Sequence, residues 1–134
     1  MAIQLSTTLR NAMVGQYETT IGVSAKLQIR SGAQPATCAT ADSGTLLCEI
    51  TLPSDWLGAA SAGAVSLLGT WTGTGAAAGT AAHYRLKDNA GVTCHEQGSV
   101  TATGGGGDLT LDNVSIASAQ TVTVTSWTRT QGGA

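Results

Sequence analysis

The sequence predicts a β-rich domain of the sandwich or barrel class, with one α-helix near its N-terminal end. A helical pattern, in which apolar residues recur at three- and four-residue steps, occurs only over residues 6–21. From Gly22 onward, apolar and polar residues alternate in short runs that Gly, Ser, Ala and Asp separate. Since no second amphipathic stretch of adequate length follows, parallel β-α-β units are not expected.

The helix is predicted over residues 6–21, STTLRNAMVGQYETTI. Ser6 is a suitable N-cap, and Gly22 is placed to end the helix in a left-handed turn. Gly15 weakens the helix by about 1 kcal/mol relative to alanine, so the helix needs a packing partner. That partner is either its own sheet, which we favour, or a neighbouring subunit. The apolar stripe on which it would pack consists of Leu5, Leu9, Ala12, Met13, Tyr17 and Ile21.

Seven segments have the alternating pattern of strands, and the sequence predicts about seven to eight strands from them. The segments are AKLQIR, TLLCEITL, AVSLLGTW, HYRLKD, VTCHEQGSV, LTLDNVSI and QTVTVTSWT. They are rich in Thr and Val, which favour strands. A chain of 134 residues most simply forms one domain, so we expect residues 1–134 to fold together.

The composition is poor in charge. Only 10% of the residues are charged, and Lys26 and Lys87 are the only lysines. A freely diffusing monomer normally carries more surface charge. Two interpretations stay open: a surface kept in solution by Ser and Thr hydroxyls, or a surface largely covered by other subunits. With a net charge of −2 and no cluster of Arg and Lys, direct binding of nucleic acid is not expected.

The N-terminal segment MAIQLSTTLRNAM lacks the features of a signal peptide, and no apolar run is long enough to span a bilayer. We therefore expect synthesis in the cytoplasm and no membrane contact. Three cysteines cannot all pair within one chain. Cys38 and Cys48 could bridge across the loop between them. Cys48, however, falls on the apolar face of a predicted strand, where a free thiol behaves as a small hydrophobe.

No cofactor or metal site is predicted. The Cys and His residues lack the spacing of a structural zinc site. Asp108 and Asp112 flank a glycine run, where aspartates are more often turn formers than calcium ligands. The stretch GTGAAAG lacks the GK[ST] that ends a phosphate-binding loop, and no GxSxG marks a serine hydrolase.

The segment GTAAHYRLKDNAGVTCHEQGSV, residues 79–100, contains both histidines and is the last catalytic candidate. Residues 88–91 form a strong hairpin turn signal. With Asp88 opposite Gly91, Arg85 falls opposite Cys94, Tyr84 opposite His95 and His83 opposite Glu96. We expect a polar cross-strand pair between His83 and Glu96 rather than an active site. The two histidines would face opposite sides of the hairpin and could not easily share a metal.

Six segments together resemble a family of small proteins encoded by tailed bacteriophages and prophages, and the similarity extends over nearly the whole chain. They are LSTTLRNAM, RSGAQPAT, TLPSDWL, GTAAHYRLKDNAGVTCHEQGSV, LTLDNVSI and QTVTVTSWT. The resemblance implies a non-enzymatic virion protein, made in the host cytoplasm, with an antiparallel jelly-roll-like β-sandwich. Its implied role is head decoration or cement, in which a dimer or trimer binds the outer capsid surface and braces contacts between major-capsid subunits. The candidate subunit-contact residues are Leu9, Met13, Tyr17 and Trp56.

Two alternatives are kept. The first is a tail component, either a tail-tube protein or a receptor-binding tip. A tip would present exposed aromatic residues such as Trp71 or Trp127 to host glycans. The second is a small enzyme that uses His83, His95 and Glu96.

Overall fold

The computed structural model describes residues 3–134, in which the chain is mostly β with one helix. The helix, α1, spans Thr7–Ile21. Eleven strands follow it in this part of the chain, more than the seven to eight predicted: β1 (Lys26–Arg30), β2 (Leu46–Thr51), β3 (Ala64–Ser66), β4 (Trp71–Thr74), β5 (Gly79–Thr80), β6 (His83–Lys87), β7 (Cys94–Ala102), β8 (Leu109–Leu111), β9 (Ser115–Ile116), β10 (Thr121–Val124) and β11 (Thr128–Thr130). No helix within residues 3–134 is long and apolar enough to cross a membrane.

The ends of α1 are fixed by the residues that flank it. The Ser6 hydroxyl accepts a hydrogen bond from the Leu9 amide at 3.1 Å, as an N-cap does. Gly22, with φ at +96°, ends the helix and donates its N–H to the Glu18 carbonyl. The helix therefore begins and ends within one residue of the predicted limits.

The buried face of α1 is not the predicted apolar stripe. Val14 and Ile21 are buried together with Arg10, whereas Leu9 is 48% and Met13 is 43% exposed. The Arg10 guanidinium donates to the Ala62 and Gln131 carbonyls. These bonds turn the side of the helix that carries Arg10 and Val14 towards the core. The prediction that Leu9 and Met13 belong to the buried stripe was wrong.

Five strands form one sheet in the order β2-β1-β6-β7-β8. Every neighbouring pair is antiparallel except β7 and β8, which run parallel. Leu27 and Ile29 of β1 point into the core, while Gln28 and Arg30 alternate with them on the opposite face. All four are buried, because the loop of residues 31–45 covers that second face.

Three two-stranded ladders, β4–β10, β3–β11 and β5–β9, form the rest of the β structure. The larger strand number has two sources: three of the seven predicted segments each divide into two strands, and β5 lies outside all of the predicted segments. AVSLLGTW divides at Gly69, whose φ of +76° breaks the extended chain. LTLDNVSI divides at residues 112–114, and QTVTVTSWT divides at residues 125–127.

The hydrophobic core lies where the sheet, the ladders and α1 meet, and its centre is aromatic. Trp127 lies 5.5 Å from Trp71 and 6.2 Å from Trp56 between ring centroids. Tyr17 of α1 packs edge-on against Trp127 at 6.0 Å. The Trp56 indole donates to the Gly22 carbonyl at 2.9 Å, which links the end of the helix to this centre.

Candidate functional site

The hairpin of β6 and β7 has a longer turn than the sequence predicts. Lys87 pairs with Cys94 and Arg85 with Gln97, so the predicted pairing of Arg85 with Cys94 was wrong. The turn covers residues 88–93 because the Asp88 carboxylate accepts the amides of Val92 and Thr93. A further irregularity between Leu86 and Lys87 shifts the register by one residue.

The new register separates the residues of the proposed enzyme alternative. His83 faces the loop side of the sheet, where it is buried and its Nδ1 lies 3.0 Å from the Gly32 carbonyl oxygen. Glu96 pairs with Leu86, on the core side. His95 is exposed at the register shift, between the partners of Leu86 and Lys87. The predicted contact of His83 with Glu96 was therefore wrong, and the structure does not bring these three side chains together.

A first charged cluster lies on the loop side of the sheet. The Asp42 carboxylate accepts from Arg30 at 3.1 Å, from Lys87 at 2.7 Å and from Arg85. The Arg85 and Lys87 side chains are almost fully buried, while a third of the Asp42 side chain is exposed. Burial raises the pKa of Asp42, but hydrogen bonds from Lys87 and Arg85 and the charge of Arg30 outweigh burial, so the net pKa is lowered.

The loop of residues 31–45 is attached to the sheet at several further points. Arg85 donates to the Cys38 carbonyl at 2.7 Å, and Gln97 donates to the Pro35 carbonyl at 2.8 Å. Below the loop, His83 Nε2, Arg85 Nε and Gln97 Oε1 are buried without a hydrogen-bond partner among the described residues. This region is thus a docked loop over a polar sheet face rather than an open pocket.

A second charged cluster lies on the core side, at the edge of the aromatic centre. Arg129 binds the Glu96 carboxylate through Nε at 2.9 and 3.1 Å and through Nη2. Its guanidinium lies 4.1 Å from the Trp127 ring centroid, within the range of a cation–π contact. The Tyr84 hydroxyl also contacts Glu96 and Arg129. Burial, reinforced by the Glu96 charge, raises the pKa of both Tyr84 and Tyr17, that of Tyr17 to about 12.

The basic side chains of the protein are all used in contacts within the chain. Arg30, Arg85 and Lys87 share Asp42, and Arg129 binds Glu96. The two remaining cations are Arg10, which donates to the Ala62 and Gln131 carbonyls, and Lys26, which donates to the Thr51 hydroxyl at 2.7 Å. The exposed surface consequently has little positive charge to offer a partner.

The outward side of α1 is the candidate interaction surface. Leu9, Met13, Gln16 and Thr20 are exposed on one face of the helix, which we call the outer helix face. A cleft of about 270 Å³ runs between this face and β7, with Tyr17, His95 and Glu96 among its lining residues. The surface therefore combines two apolar side chains with a shallow, partly polar recess.

The four predicted subunit-contact residues have different environments. Leu9 and Met13 lie on the outer helix face, and Tyr17 is half-buried beside the cleft. Trp56 is fully buried in the aromatic centre and cannot reach a partner. Trp71 and Trp127, proposed as glycan platforms, are also buried, at 1% and 3% exposure, so that prediction was wrong.

The three cysteines are free thiols in different environments. Cys48 is fully buried on the core side of β2, which confirms its predicted place on the apolar face of a strand. The alternative bridge between Cys38 and Cys48 is absent. The Cys38 Sγ lies instead 2.7 Å from the Cys94 Sγ, and both residues are half-buried. Sequence spacing gave no sign of this pair, because 56 residues separate its members.

No cluster of three or more His, Cys, Asp or Glu side chains suited to a metal ion occurs within residues 3–134. Asp108 accepts hydrogen bonds from the Ser99 amide at 3.0 Å and from the Ser99 hydroxyl at 3.1 Å. These bonds lower its pKa. The Asp108 side chain thus stabilises the loop before β8.

Two features of the charged clusters were not predicted from the sequence: the role of Asp42 and the Glu96–Arg129 pair. One signal was present for the first. Polar residues alternate through KLQIR and HYRLKD, which pair as β1 and β6 and so carry one continuous polar stripe. Basic side chains in such a stripe on two central strands need an acidic partner where a loop covers them. Asp42 is the only acidic residue in the loop that follows β1.

Comparison of the chain with protein-family models, with curated proteins and with solved structures gave no match.

Proposed function

We propose that the protein is a non-enzymatic structural component of a tailed-bacteriophage particle, which binds the outer capsid surface and stabilises contacts between major-capsid subunits. The resemblance of six segments to small phage proteins supports the proposal. The observation that carries it is the distribution of side chains: all six basic residues are engaged inside the chain, while Leu9 and Met13 are exposed together on the outer helix face.

A surface of this kind suits extended contact with a protein lattice. Hydroxyl and small side chains cover most of it, and they allow close approach without desolvating charges. Leu9 and Met13 supply apolar area in the N-terminal half of the outer helix face. Each contact can be modest, because an oligomer bound at several points gains effective concentration from its own geometry. We propose a dimer or trimer as the bound form.

We further propose that the five-stranded sheet and the ladders form the two layers of a jelly-roll-like sandwich. Support comes from the core, where sheet residues such as Leu27 and Ile50 belong to one buried cluster with Trp71 and Val122 of the β4–β10 ladder. An experimental structure in which this ladder faced away from the sheet would contradict the proposed sandwich.

The first test is the number of copies in purified particles, measured by quantitative mass spectrometry against the major capsid protein. We expect a ratio near one to one, or a simple fraction of it, since decoration repeats over the capsid lattice. A few copies per particle would instead indicate a tail component, and absence from the particle would overturn the proposal.

The second test locates the contact. Purified protein is added to heads that lack it, and bound protein is measured by sedimentation. For Leu9→Ser combined with Met13→Ser we expect affinity to fall about tenfold or more, because buried apolar anchors dominate such contacts. Val92→Ser is the matched control, since Val92 is 76% exposed at the β6–β7 turn, outside the outer helix face. Equal loss for both variants would contradict a contact through α1.

A further inference from the structure

The half-buried thiols of Cys38 and Cys94 connect the loop of residues 31–45 to the first residue of β7. Their Sγ atoms are 2.7 Å apart. We propose that this pair is a redox modification site, at which a low-molecular-weight disulfide oxidises the two thiols to one intramolecular disulfide that fastens the loop to the sheet. The inference goes beyond the proposed function and does not depend on it.

The loop holds Cys38 in place on both sides. Before it, the Pro35 carbonyl accepts from Gln97 at 2.8 Å; after it, Asp42 accepts from Arg85 and Lys87. The Cys38 carbonyl itself accepts from Arg85 at 2.7 Å. Because these contacts exist before any bond between the sulfurs, the two thiols are held in proximity, which favours the intramolecular step.

Cys94 is also held in place, and its environment determines which of the two thiols reacts first. It lies opposite Lys87 at the start of β7, and its Sγ contacts the Glu96 carbonyl at 3.4 Å. Burial and the Cys38 thiol raise the pKa of Cys94 to about 11, although the Arg85 charge acts in the opposite direction. Cys94 is therefore a poor first nucleophile at neutral pH, and Cys38, on the covering loop, reacts first.

The reaction consists of two thiol–disulfide exchanges. The Cys38 sulfur loses its proton and attacks one sulfur of the small disulfide, so a mixed disulfide forms and one small thiol leaves. The Cys94 sulfur then loses its proton and attacks the Cys38 sulfur, which forms the protein disulfide and releases the second small thiol. Two cysteines are oxidised, one small disulfide is reduced to two thiols, and each proton ends on a released thiol.

The third cysteine provides an internal control. Cys48 is fully buried on the opposite face of the sheet, where a small disulfide cannot reach it in the folded protein. Oxidation of the folded chain should therefore leave one thiol, at Cys48, for every molecule.

The test uses the folded full-length protein with glutathione disulfide as the oxidant, followed by alkylation and intact mass measurement. We expect a loss of two hydrogen atoms and one remaining thiol, which becomes reactive only after unfolding. Three reactive thiols, or a stable glutathione adduct without further reaction, would overturn the proposal.

Peptide mapping identifies the bond. No Lys or Arg lies between Arg30 and Arg85, so trypsin leaves Cys38 and Cys48 on one peptide. The Cys48→Ala variant removes this ambiguity, and we expect its peptides 31–85 and 88–129 to be joined. If that variant does not fold, cleavage of the wild-type chain at Leu46 or Leu47 separates the two cysteines. A bond that includes Cys48 would overturn the proposal.

Two further readouts test the effect on the loop. Because the bond closes a long segment of chain, oxidation should raise the melting temperature by about 5–10 °C. It should also slow proteolysis within residues 31–45 several-fold. Neither change should occur in Cys38→Ser, which cannot form the bond. Disulfide formation without either change would contradict the fastening of the loop.

Discussion

Asp42 accepts hydrogen bonds from three basic side chains on two neighbouring strands, and no other carboxylate forms an ion pair with those three among the described residues. Arg85 and Lys87 are almost entirely removed from water. A buried cation without its partner is strongly unfavourable, because the interior cannot replace the lost hydration. This single carboxylate consequently supplies the only negative side-chain charge with which the covering loop binds the sheet.

We expect Asp42→Asn to lower the free energy of unfolding by about 2–3 kcal/mol. Loss of one partner from a fully buried pair costs about 3–5 kcal/mol, and the partial exposure of Asp42 reduces that figure. Unfolding in denaturant, monitored by fluorescence of the central tryptophans, measures the change. Asp112→Asn, at an exposed aspartate, is the control and should leave stability unchanged. Equal effects of the two variants would contradict the role of Asp42.

The same variant tests the response to acid. The pKa of Asp42 is lowered in the folded state, so its stabilisation is present above the unfolded value of about 3.9 and is lost as the pH falls through the folded value. The difference in stability between wild type and Asp42→Asn should therefore shrink below about pH 4. A difference that stays constant down to lower pH would mean that the carboxylate charge is not the cause.

At the scale of elements, the first turns of α1 contact the turn before β3 through Arg10 and Asn11, around a single glycine. Gly63, with φ at +78°, lies where an added Cβ would be 3.0 Å from Arg10 Cζ and 3.2 Å from the Gln131 carbonyl oxygen. Its amide donates to the Asn11 side chain at 2.8 Å. The helix can approach the turn before β3 only because position 63 has no side chain.

We expect Gly63→Ala to destabilise the protein more than Gly104→Ala does. Both positions have positive φ, so each substitution costs about 1–2 kcal/mol in backbone strain. Gly104 has open space around it, whereas at Gly63 the buried Arg10 guanidinium must leave its carbonyl partners, which adds about 1–3 kcal/mol. Denaturant unfolding of the two variants gives the difference directly. Equal destabilisation would show that Arg10 does not anchor the helix.

Short sequence patterns predicted where the helix and strands lie better than they predicted which residues contact each other. The limits of α1 followed from Ser6 and Gly22, because caps act within one turn of the helix. Its buried face could not be predicted, since a buried arginine outweighed the apolar residues beside it. The hairpin was predicted but its register was not, because the Asp88 carboxylate stabilises a longer turn than the sequence pattern indicated.

The candidate site depended on contacts distant in sequence. Asp42 lies 43 residues from Arg85 and 45 from Lys87, in a loop without periodicity. Arg129 meets Glu96 across 33 residues. Alternating polar residues in β1 and β6 could indicate that a polar sheet face existed, but not which loop covered it. Leu9 and Met13 were expected both in the buried stripe of α1 and as subunit contacts. Their exposure on the outer helix face contradicts the first expectation, and the second stays a prediction.

At the scale of the whole molecule, most of the positive charge is turned inward, on both faces of the sheet. One cluster lies below the covering loop, and the other joins Glu96, Arg129 and Tyr84 at the edge of the tryptophan centre. The outer surface is left with hydroxyl groups, small residues, a few apolar side chains and acidic side chains such as Asp55 and Asp112. The fold thus uses its few cations in internal contacts. The resulting scarcity of positive charge on the surface is what the proposed lattice contact requires.

The interior cluster makes the molecule sensitive to alkali through its only two tyrosines, Tyr17 and Tyr84. Burial and the Glu96 charge raise the pKa of each, that of Tyr17 to about 12. In the unfolded chain both ionise near pH 10. Because the folded pKa values are raised, the stability of the fold is complete below about pH 10 and is lost as the pH rises towards the folded values.

We therefore expect tyrosinate absorbance to remain absent at pH 10 in the native protein, where the denatured chain is half ionised. At higher pH the absorbance should rise together with the fluorescence change of unfolding, since the phenolate of Tyr84 cannot stay beside Glu96. In Tyr17→Phe the remaining signal comes from Tyr84 alone and should appear only with unfolding. A native titration near pH 10 in that variant would mean that Tyr84 is open to solvent and that the Glu96–Arg129 cluster does not seal the core.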